Sequence, residues 1–322
     1  MEERLESMSI EITKNCNFKC KFCFASSNKC SLSEDTIPQE HYDRIIEQIK
    51  LNNLKKVTIT GGEPLCCGTH FLSFVQLLSE NGITINLNTN LSLMNDDFAD
   101  AYTRYIGNEF YVFTSLLSAD EDNCDKMTGV KGSYQSIIRG IRCCKKHGIK
   151  ISMNFTISKD NANDIELIPQ FVEKYGIDRV CISRVIPPIY DRYSESNSLS
   201  NSDIIKIADT LVQINESLGI PVTSSHPLPL CIIGDNPRYS VIEAQRCRTG
   251  TKYCAVNLHT GDVIACSQEN HVYGNVYSET LFEIWDKMRI DHGILNLKEK
   301  CIDCSLLSKC GGECRWSGCS TC

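Results

Sequence analysis

The strongest constraint on the fold is a regular alternation of strand-like and helix-like segments between residues 9 and 218. Six short β-rich runs predict strands, at residues 9–13, 56–60, 84–89, 110–116, 150–157 and 179–185. Each run is followed by a segment with apolar or aromatic residues at i, i+3, i+4 and i+7, which predicts an amphipathic helix. These helices are expected around residues 42–49, 71–78, 98–105, 134–141, 168–175 and 204–211. Strict alternation predicts an α/β fold, with helices packed outside a parallel sheet.

Two architectures fit this alternation. An open, partial (β/α)6 TIM-like barrel and a doubly wound sheet produce the same order of elements along the chain. In both, functional residues lie at the carboxyl ends of the strands. The residues that directly follow each predicted strand are therefore the first candidates for a site.

The loop after the first predicted strand reads C-N-F-K-C-K-F-C and carries Cys16, Cys20 and Cys23. An iron-sulfur cube normally takes four cysteine thiolates, so three thiolates would leave one iron open to a ligand from outside the protein. Zinc is the alternative, but short structural zinc sites normally close with four Cys or His ligands. His41 is the nearest histidine and lies well beyond the loop.

The segment Gly61-Gly62-Glu63-Pro64 follows the second predicted strand. Paired glycines let a backbone approach a ligand closely, and a carboxylate can orient an ammonium group. Taken alone, the segment is more commonly a simple turn. Its position one strand after the cysteine loop indicates that both belong to one site.

The C-x3-C-x2-C loop followed by GGEP resembles the radical S-adenosylmethionine (radical SAM) enzymes. The resemblance implies the partial (β/α)6 barrel and a [4Fe-4S] cluster whose open iron is chelated by the amino and carboxylate groups of SAM. It places Phe22 near the adenine and the GGEP segment at the SAM amino group. It also implies that Asn88 and Asn90 bind the ribose hydroxyls and that Ser115 lies near the SAM carboxylate. The family's usual S-x-D reads S-L-L-S-A-D here, which weakens the assignment of Ser115.

Residues 125–133, D-K-M-T-G-V-K-G-S, resemble a loop of the family's peptide-modifying members. The alternative is a glycine-rich turn in which Ser133 is the N-cap of the next helix.

The chain has 20 cysteines, and nine of them lie from Cys247 onward. Such density makes a conventional hydrophobic core hard to build, so metal is expected to supply much of the folding energy of this region. The spacing is C-x13-G-x4-C and then C-x2-C-x5-C-x3-C. It resembles the SPASM domain, an auxiliary-cluster module attached to radical SAM barrels.

The SPASM resemblance implies two auxiliary [4Fe-4S] clusters, three clusters in all. The first would be held by Cys247, Cys254, Cys266 and Cys314. The second would be held by Cys301, Cys304, Cys310 and either Cys319 or Cys322. A stripe of four apolar residues in one helix is expected to pack against the clusters, although such a stripe is typical of any core: Leu281, Ile284, Trp285 and Met288.

The implied domains are a barrel at 1–225, a connector at 226–246 and a SPASM domain at 247–322. The helical and strand periodicity already weakens from residue 186. The eight remaining cysteines are interpreted mainly as small buried hydrophobic residues. Cys66 and Cys67, beside GGEP, and Cys231, in the connector, are the three that could face the cavity and donate a hydrogen atom to a substrate radical.

The formal net charge of −7 is spread along the chain without a basic block, which argues against nucleic acid and anionic membranes as partners. No run reaches the ~18 apolar residues of a membrane helix, and the N-terminus lacks the pattern of a signal peptide. A cytoplasmic location is therefore expected. Thiols stay reduced there, so the cysteines are not interpreted as a disulfide scaffold.

The family resemblance implies a SAM-derived 5′-deoxyadenosyl radical, with reduced flavodoxin or a ferredoxin-type protein as electron donor. Two saturated auxiliary clusters favour net oxidation of a ribosomally made, cysteine-containing peptide, such as thioether or carbon-carbon cross-link formation. Epimerisation or dehydrogenation of a peptide or small molecule is the alternative. A non-catalytic electron-relay protein and a zinc-ribbon module are the rivals from other classes.

Two further features bear on the substrate. Ser267 follows Cys266 where sulfatase-maturing members have a catalytic aspartate, which disfavours that role. About eight residues precede the first predicted strand, so a peptide is expected to be recognised by the barrel, by residues 186–246 or by a separate recognition protein.

Overall fold

The computed structural model describes residues 4–23, 37–185, 199–244, 247–269, 271–292, 297, 299–312 and 314. The described strands form one sheet in the order β11-β10-β9-β1-β2-β3-β4-β5-β6-β7-β8. They are β1 (Ser7–Glu11), β2 (Lys56–Thr60), β3 (Thr84–Asn88), β4 (Tyr111–Leu116), β5 (Lys150–Ile157), β6 (Arg179–Arg184), β7 (Val222–Ser224), β8 (Ile242–Ala244), β9 (Tyr253–Asn257), β10 (Asp262–Ile264) and β11 (Gly274–Asn275).

The described α-helices include all six that the periodicity predicts, and the predicted strands match β1–β6 to within two residues. Three short 3-10 helices are also present. Pro64–Cys67 follows β2, Ala162–Leu167 follows β5 and Pro237–Val241 precedes β8. The helices are α1 (Gln39–Leu51), α2 (Thr69–Glu80), α3 (Asp96–Tyr105), α4 (Glu121–Thr128), α5 (Ser133–Lys146), α6 (Ile168–Tyr175), α7 (Asn201–Leu218), α8 (Leu230–Ile233), α9 (Leu281–His292), α10 (Glu299–Ile302) and α11 (Leu307–Cys310).

The strand order decides between the two architectures. Strands β1 to β8 are parallel neighbours in chain order, whereas a doubly wound sheet reverses its order at a switch point. Right-handed crossovers that all advance in one direction place every helix on the same face, and α2 packs on α3, α3 on α5 and α6 on α7. The fold is therefore a partial TIM-like barrel of parallel strands, as predicted.

The two faces of the barrel sheet differ in polarity. Residues such as Ile10, Ile59 and Leu87 are almost fully buried under the helices, and the ring of Phe155 packs edge-on against Phe171 of α6 at 5.8 Å between centroids. The alternate residues face inward because successive side chains of a strand point to opposite sides. They are mostly hydroxyls and amides, so the barrel interior is polar.

The region after residue 247 differs from the expectation in its core. Strand β9 pairs in parallel with β1, with Cys254 opposite Met8, and the sheet continues through β10 and β11. Its apolar residues are buried in the same core cluster as those of the barrel. Residues 253–288 contain only two cysteines, so a conventional core forms there, and the expectation that metal must replace it is wrong for this segment. The division of the chain into domains stays a prediction.

Helix α9 buries its predicted stripe in this core, with Leu281, Ile284 and Met288 fully enclosed. It is attached to the barrel helix α1, where the Gln48 side chain accepts a 2.7 Å hydrogen bond from the backbone N–H of Leu281. Arg44 of α1 donates to the carbonyl oxygens of Val276 and Glu279 at 2.8 and 3.0 Å. The stripe therefore packs against the barrel as well as within its own segment.

The segment 125–133 differs from the expected glycine-rich turn capped by Ser133, whereas its resemblance to a family loop stays a prediction. Its first four residues end helix α4, and the N-cap of α5 is Gly132, not Ser133. Asp125 performs the capping, since its carboxylate accepts from the backbone N–H groups of Gly132 and Tyr134 and from the hydroxyl of Ser133. Across the described parts of the chain, no helix combines the length and apolar character needed to span a membrane.

Candidate functional site

The cysteine loop lies at the carboxyl end of β1 and is fixed first by the segment after β2. The backbone N–H of Gly62 donates to the carbonyl oxygen of Thr13, and that of Glu63 to Asn15, both at 2.7 Å. A Cβ added to Gly62 would lie 2.1 Å from the Asn15 oxygen. The paired glycines therefore allow GGEP to approach the cysteine loop itself. The sequence alone suggests that they allow a close approach to a ligand.

Glu63 is fully buried, and its carboxylate is occupied by protein donors. It accepts hydrogen bonds from the Thr89 hydroxyl at 2.6 Å, the Asn90 backbone N–H at 2.6 Å and the Leu65 backbone N–H at 3.0 Å. Burial raises the pKa of this carboxyl to about 7, against the opposing effect of these three donors. The carboxylate therefore positions the loops after β2 and β3, and the contact of this segment with an ammonium group stays a prediction.

The loop after β3 makes the second attachment. Asn90 donates from its side-chain amide to Asn17 at 2.9 Å, and Asn17 donates to the Ser92 hydroxyl at 2.7 Å. Ser92 closes the triangle by donating from its hydroxyl to Asn90 at 2.6 Å. Asn90, predicted at a ribose, is therefore half-buried within this network, whereas Asn88 is exposed at the end of its strand.

The carboxyl end of α4 makes the third attachment, which the sequence analysis did not find. The backbone N–H of Lys19 donates to the carbonyl oxygen of Thr128 at 2.8 Å, and Lys21 donates to Met127 at 3.4 Å. Gly129 leaves room for this contact, because a Cβ there would lie 3.0 Å from the Lys19 oxygen. No local signal in the sequence links residues more than 100 positions apart.

The three loop cysteines are half-buried and lie close enough to influence one another. Burial, together with negative charge on Cys23 and Cys16, raises the pKa of Cys20 to about 12. Cys16 accepts a hydrogen bond from the backbone N–H of Phe18 at 3.4 Å. Three half-buried thiols on one short loop suit a cation that neutralises their thiolate charges, so the donor set fits an iron-sulfur cluster. Phe22 lies half-buried in the turn before Cys23.

The last inward-facing residue of each barrel strand lies at the same end of the barrel as this loop. Ser115, predicted near a carboxylate, is half-buried and lies 3.5 Å from the side-chain nitrogen of Asn154. The side-chain oxygen of Asn154 is buried without a hydrogen-bond partner. Glu11 accepts from Asn257 at 2.6 Å, and burial raises its pKa. Sequence reasoning missed Asn154 and Glu11, although strand parity alone could have found them.

The described C-terminal cysteines form two groups along the chain, one at residues 247–266 and one at residues 301–314. Burial raises the pKa of Cys266, and the charge of Cys247 contributes to the shift, so these two lie near each other. Cys254 is fully buried in the hydrophobic core, and burial alone raises its pKa to about 12. Cys301, Cys304 and Cys310 are half-buried and Cys314 is buried, whereas Cys319 and Cys322 lie outside the described residues.

The three candidate hydrogen donors are placed differently from one another. Cys67 packs against the hydrophobic core and raises the pKa of Tyr42 on α1, so it lies toward the helices. Cys66 is half-buried in the same 3-10 helix, and Cys231 is exposed on α8. The geometry brings none of the three into the attachments of the cysteine loop described above.

Comparisons with known proteins bear on the family and the fold of the chain. The model of the radical SAM superfamily matches residues 10–172, about half of the chain. The chain is similar to an Fe-coproporphyrin III synthase of Methanosarcina barkeri, with 24% identity over 330 residues, covering 94% of this chain and 82% of that protein. Its fold is similar to Streptococcus suis SuiB bound to the precursor peptide SuiA, with a TM-score of 0.77 and 19% identity over 97% of this chain and 72% of SuiB.

The fold is also similar to anSMEcpe with bound AdoMet and the Cp18Cys peptide, with a TM-score of 0.73 and 18% identity over 96% of this chain and 88% of that one. Family membership implies a [4Fe-4S] cluster and SAM, which fit the three-cysteine loop and the attachments around it. The chain belongs to the radical SAM superfamily.

Proposed function

We propose that the chain is a radical SAM enzyme that oxidatively modifies a peptide, with Cys16, Cys20 and Cys23 holding the cluster that binds SAM. The main observation in support of this SAM site is that direct hydrogen bonds join the loops after β1, β2 and β3 at one edge of the barrel. When bound, the reduced cluster and SAM supply a 5′-deoxyadenosyl radical that removes a hydrogen atom from an unactivated carbon. The protein's own contribution is to orient the ligands and exclude water.

The inward-facing residues support a neutral, hydrogen-bonding substrate. At the carboxyl end they comprise four hydroxyls, one amide and one carboxylate: Thr60, Ser115, Thr156, Ser183, Asn88 and Glu11. No cation is present among these six described positions, and Arg184 lies on the other face, buried and donating to Pro227. Peptide amides pair well with hydroxyl and amide groups. Glu11 disfavours a further carboxylate nearby, although Lys14 is close enough to lower the pKa of Glu11 against the effect of its burial.

The C-terminal cysteines are assigned to two auxiliary clusters, with a cytoplasmic flavodoxin or ferredoxin-type protein as the electron donor. The nearness of Cys247 to Cys266 supports the first cluster. Clusters saturated by protein thiolates would offer no position for substrate, which favours electron transfer away from an oxidised product. A thioether or carbon-carbon cross-link in a cysteine-containing peptide fits such an oxidation.

A tetrapyrrole is the second candidate substrate. The similarity to an Fe-coproporphyrin III synthase extends over 94% of the chain, whereas the likeness to SuiB is one of fold. The absence of cations from the six inward positions counts against a polycarboxylate. Direct measurement with both classes of substrate, peptides and tetrapyrroles, decides between them.

The test is the release of 5′-deoxyadenosine by anaerobically reconstituted, reduced protein supplied with SAM. One arm receives a pool of synthetic cysteine-containing peptides and the other a panel of iron tetrapyrroles with carboxylate side chains, because iron coproporphyrin III itself is by name the product of the similar synthase. The peptide arm is expected to show faster release and a peptide mass lower by about two daltons, the mass of two hydrogen atoms. Stimulation by the iron tetrapyrroles alone would favour the tetrapyrrole as the substrate.

Two cysteine variants separate the clusters. Cys20→Ala is expected to abolish 5′-deoxyadenosine release and lower the iron content from about 12 to about 8 per chain. Cys304→Ala is expected to preserve some SAM cleavage but block substrate oxidation. Cys144→Ala, a buried cysteine of α5 outside both groups, is the control. Release of 5′-deoxyadenosine by the Cys20 variant would contradict the assignment of the SAM site.

A further inference from the structure

On the outside of the barrel, helices α3 and α5 bring together three side chains that the proposed function does not use. They are Asp96, Cys143 and His147, whose ligand atoms all lie within 4.8 Å of one another. The Oδ1 atom of Asp96 is 2.8 Å from Nε2 of His147 and 3.8 Å from Sγ of Cys143. Cys143 is one of the eight cysteines outside the predicted clusters, which the sequence predicts to be mainly small buried hydrophobic residues, and it is half-buried in the structure.

Helix geometry accounts for this convergence. Cys143 and His147 are four residues apart at the end of α5, so they share one face of the helix. Asp96 begins α3, and Asp100 follows it at the same spacing. The Oδ1 atom of Asp100 is 3.2 Å from Nδ1 of His147, so two pairs of residues, each spaced i and i+4, face each other across the helix contact.

The arrangement has the parts of a zinc centre. A thiolate, an imidazole and a carboxylate are the three kinds of side chain that ligate Zn²⁺, and sites with three protein ligands keep a fourth position for water. A metal-bound histidine normally donates from its other ring nitrogen to a carboxylate, which is where Asp100 lies. We propose that Asp96, Cys143 and His147 form a site for Zn²⁺ or a cation of similar chemistry, with Asp100 orienting the histidine.

The charges around the site are compatible with this cation. Asp96 and Asp100 bring two carboxylates to the site, each within 3.2 Å of a ring nitrogen of His147. Lys146 Nζ lies 2.9 Å from the Oδ1 atom of Asp96 and is about two-thirds exposed, so it can move into solvent when a metal binds. An exposed ion pair of this type contributes little to stability.

A surface ion-pair cluster is the competing explanation, and it depends on different side chains from a metal site. An ion pair between Asp96 and the two basic residues needs neither the thiol of Cys143 nor the second carboxylate. Zinc binding needs the thiol, is strengthened by the second carboxylate and should be opposed by Lys146. The effects of substitutions at these three positions therefore distinguish a metal site from an ion pair.

The experiment uses the holoenzyme with its clusters assembled anaerobically, because empty cluster cysteines would themselves bind zinc. The protein is dialysed against Zn²⁺, freed of loose metal, and its zinc and iron are counted by mass spectrometry. We expect about one zinc per chain without loss of iron. X-ray absorption at the zinc edge should show one sulfur at ~2.3 Å and nitrogen or oxygen ligands at ~2.0–2.2 Å. A shell of three or four sulfurs, or no retained zinc, would overturn the proposal.

Variants make the assignment specific. Cys143→Ser and His147→Gln should each lose the bound zinc, and Asp100→Asn should weaken zinc affinity about 10- to 100-fold, as loss of an outer carboxylate does. Lys146→Met should strengthen affinity, because it removes a cation from the ligand oxygen. Cys144→Ala, one residue away but buried in the core, is the matched control and should keep its zinc. Unchanged affinity in the Cys143 variant would exclude the site.

Discussion

The side-chain amide of Asn90 donates a 2.9 Å hydrogen bond to the side-chain oxygen of Asn17, which joins the loop after β3 to the three-cysteine loop. The two residues are 73 positions apart in the chain. The loop that is expected to touch the ribose of SAM is thereby tied to the loop expected to hold the cluster. This contact makes the two halves of the SAM site interdependent.

We therefore expect Asn17 and Asn90 to be energetically coupled in SAM binding. Asn17→Ala and Asn90→Ala should each weaken binding, and the double variant should lose less than both effects added together. One hydrogen bond contributes about 0.5–1.5 kcal/mol, so the coupling should fall in that range. Calorimetric titration of SAM into the four proteins measures it, and additive losses would show that the pair does not act as a unit.

Gly62→Ala should disrupt the site through its backbone. The added Cβ would lie 2.1 Å from the Asn15 carbonyl oxygen and 2.7 Å from that of Lys14, distances that require the cysteine loop to move. We expect reduced iron retention and loss of SAM cleavage. The control is Gly68→Ala, which has open space but a φ of +53° and should cost only about 1–2 kcal/mol of stability. Equal behaviour of the two variants would contradict the close-approach argument.

Glu63 should make stability dependent on pH. Burial raises its pKa to about 7 from an ordinary value of 4.5. Its folded state therefore holds a proton that the unfolded chain releases as the pH rises. The contribution is complete below about pH 4.5 and is lost as the pH rises through about 7, at about 1.4 kcal/mol per unit of pKa shift.

The measurement is the free energy of unfolding of the wild type and of Glu63→Gln at about pH 5 and about pH 7.5, on either side of the titration. The advantage of the wild type over the variant should shrink as the pH rises. An advantage that grows instead would mean that the three donors to the carboxylate outweigh its burial and hold its pKa low. Glu80, exposed at the end of α2, provides the control variant Glu80→Gln.

Arg44→Met should loosen the attachment of the C-terminal segment. Arg44 donates to two backbone carbonyls of residues 276 and 279, and a methionine keeps the length of the side chain without the donors. We expect a loss of about 1–3 kcal/mol and faster proteolysis after residue 247. Lys50→Met on the same helix, whose donor reaches only the Asn81 side chain, is the control. Equal proteolysis of the two variants would indicate that the apolar core alone holds the segment.

The strands and helices of the barrel could be predicted because each signal is local. A run such as residues 150–157 is β-rich, and a helix such as α5 repeats its apolar residues within one or two turns. The three-residue strands β7 and β8 carry too few residues for a periodic signal. Strand β9 was missed because the surrounding cysteines indicated a metal-based fold, although Cys254 and Val256 are buried in the hydrophobic core.

The amino-acid sequence by itself determined the α/β alternation, the three-cysteine loop and its position after the first strand. Those features depend on spacing along the chain. Only the tertiary structure decided that the strands run in sequential order, that Glu63 is enclosed by its donors, and that α4 supports the cysteine loop. Side chains such as Asn17 and Asn90, or Asp96 and His147, meet because separate strands or helices pack together, and no local pattern records which residues the packing will place side by side.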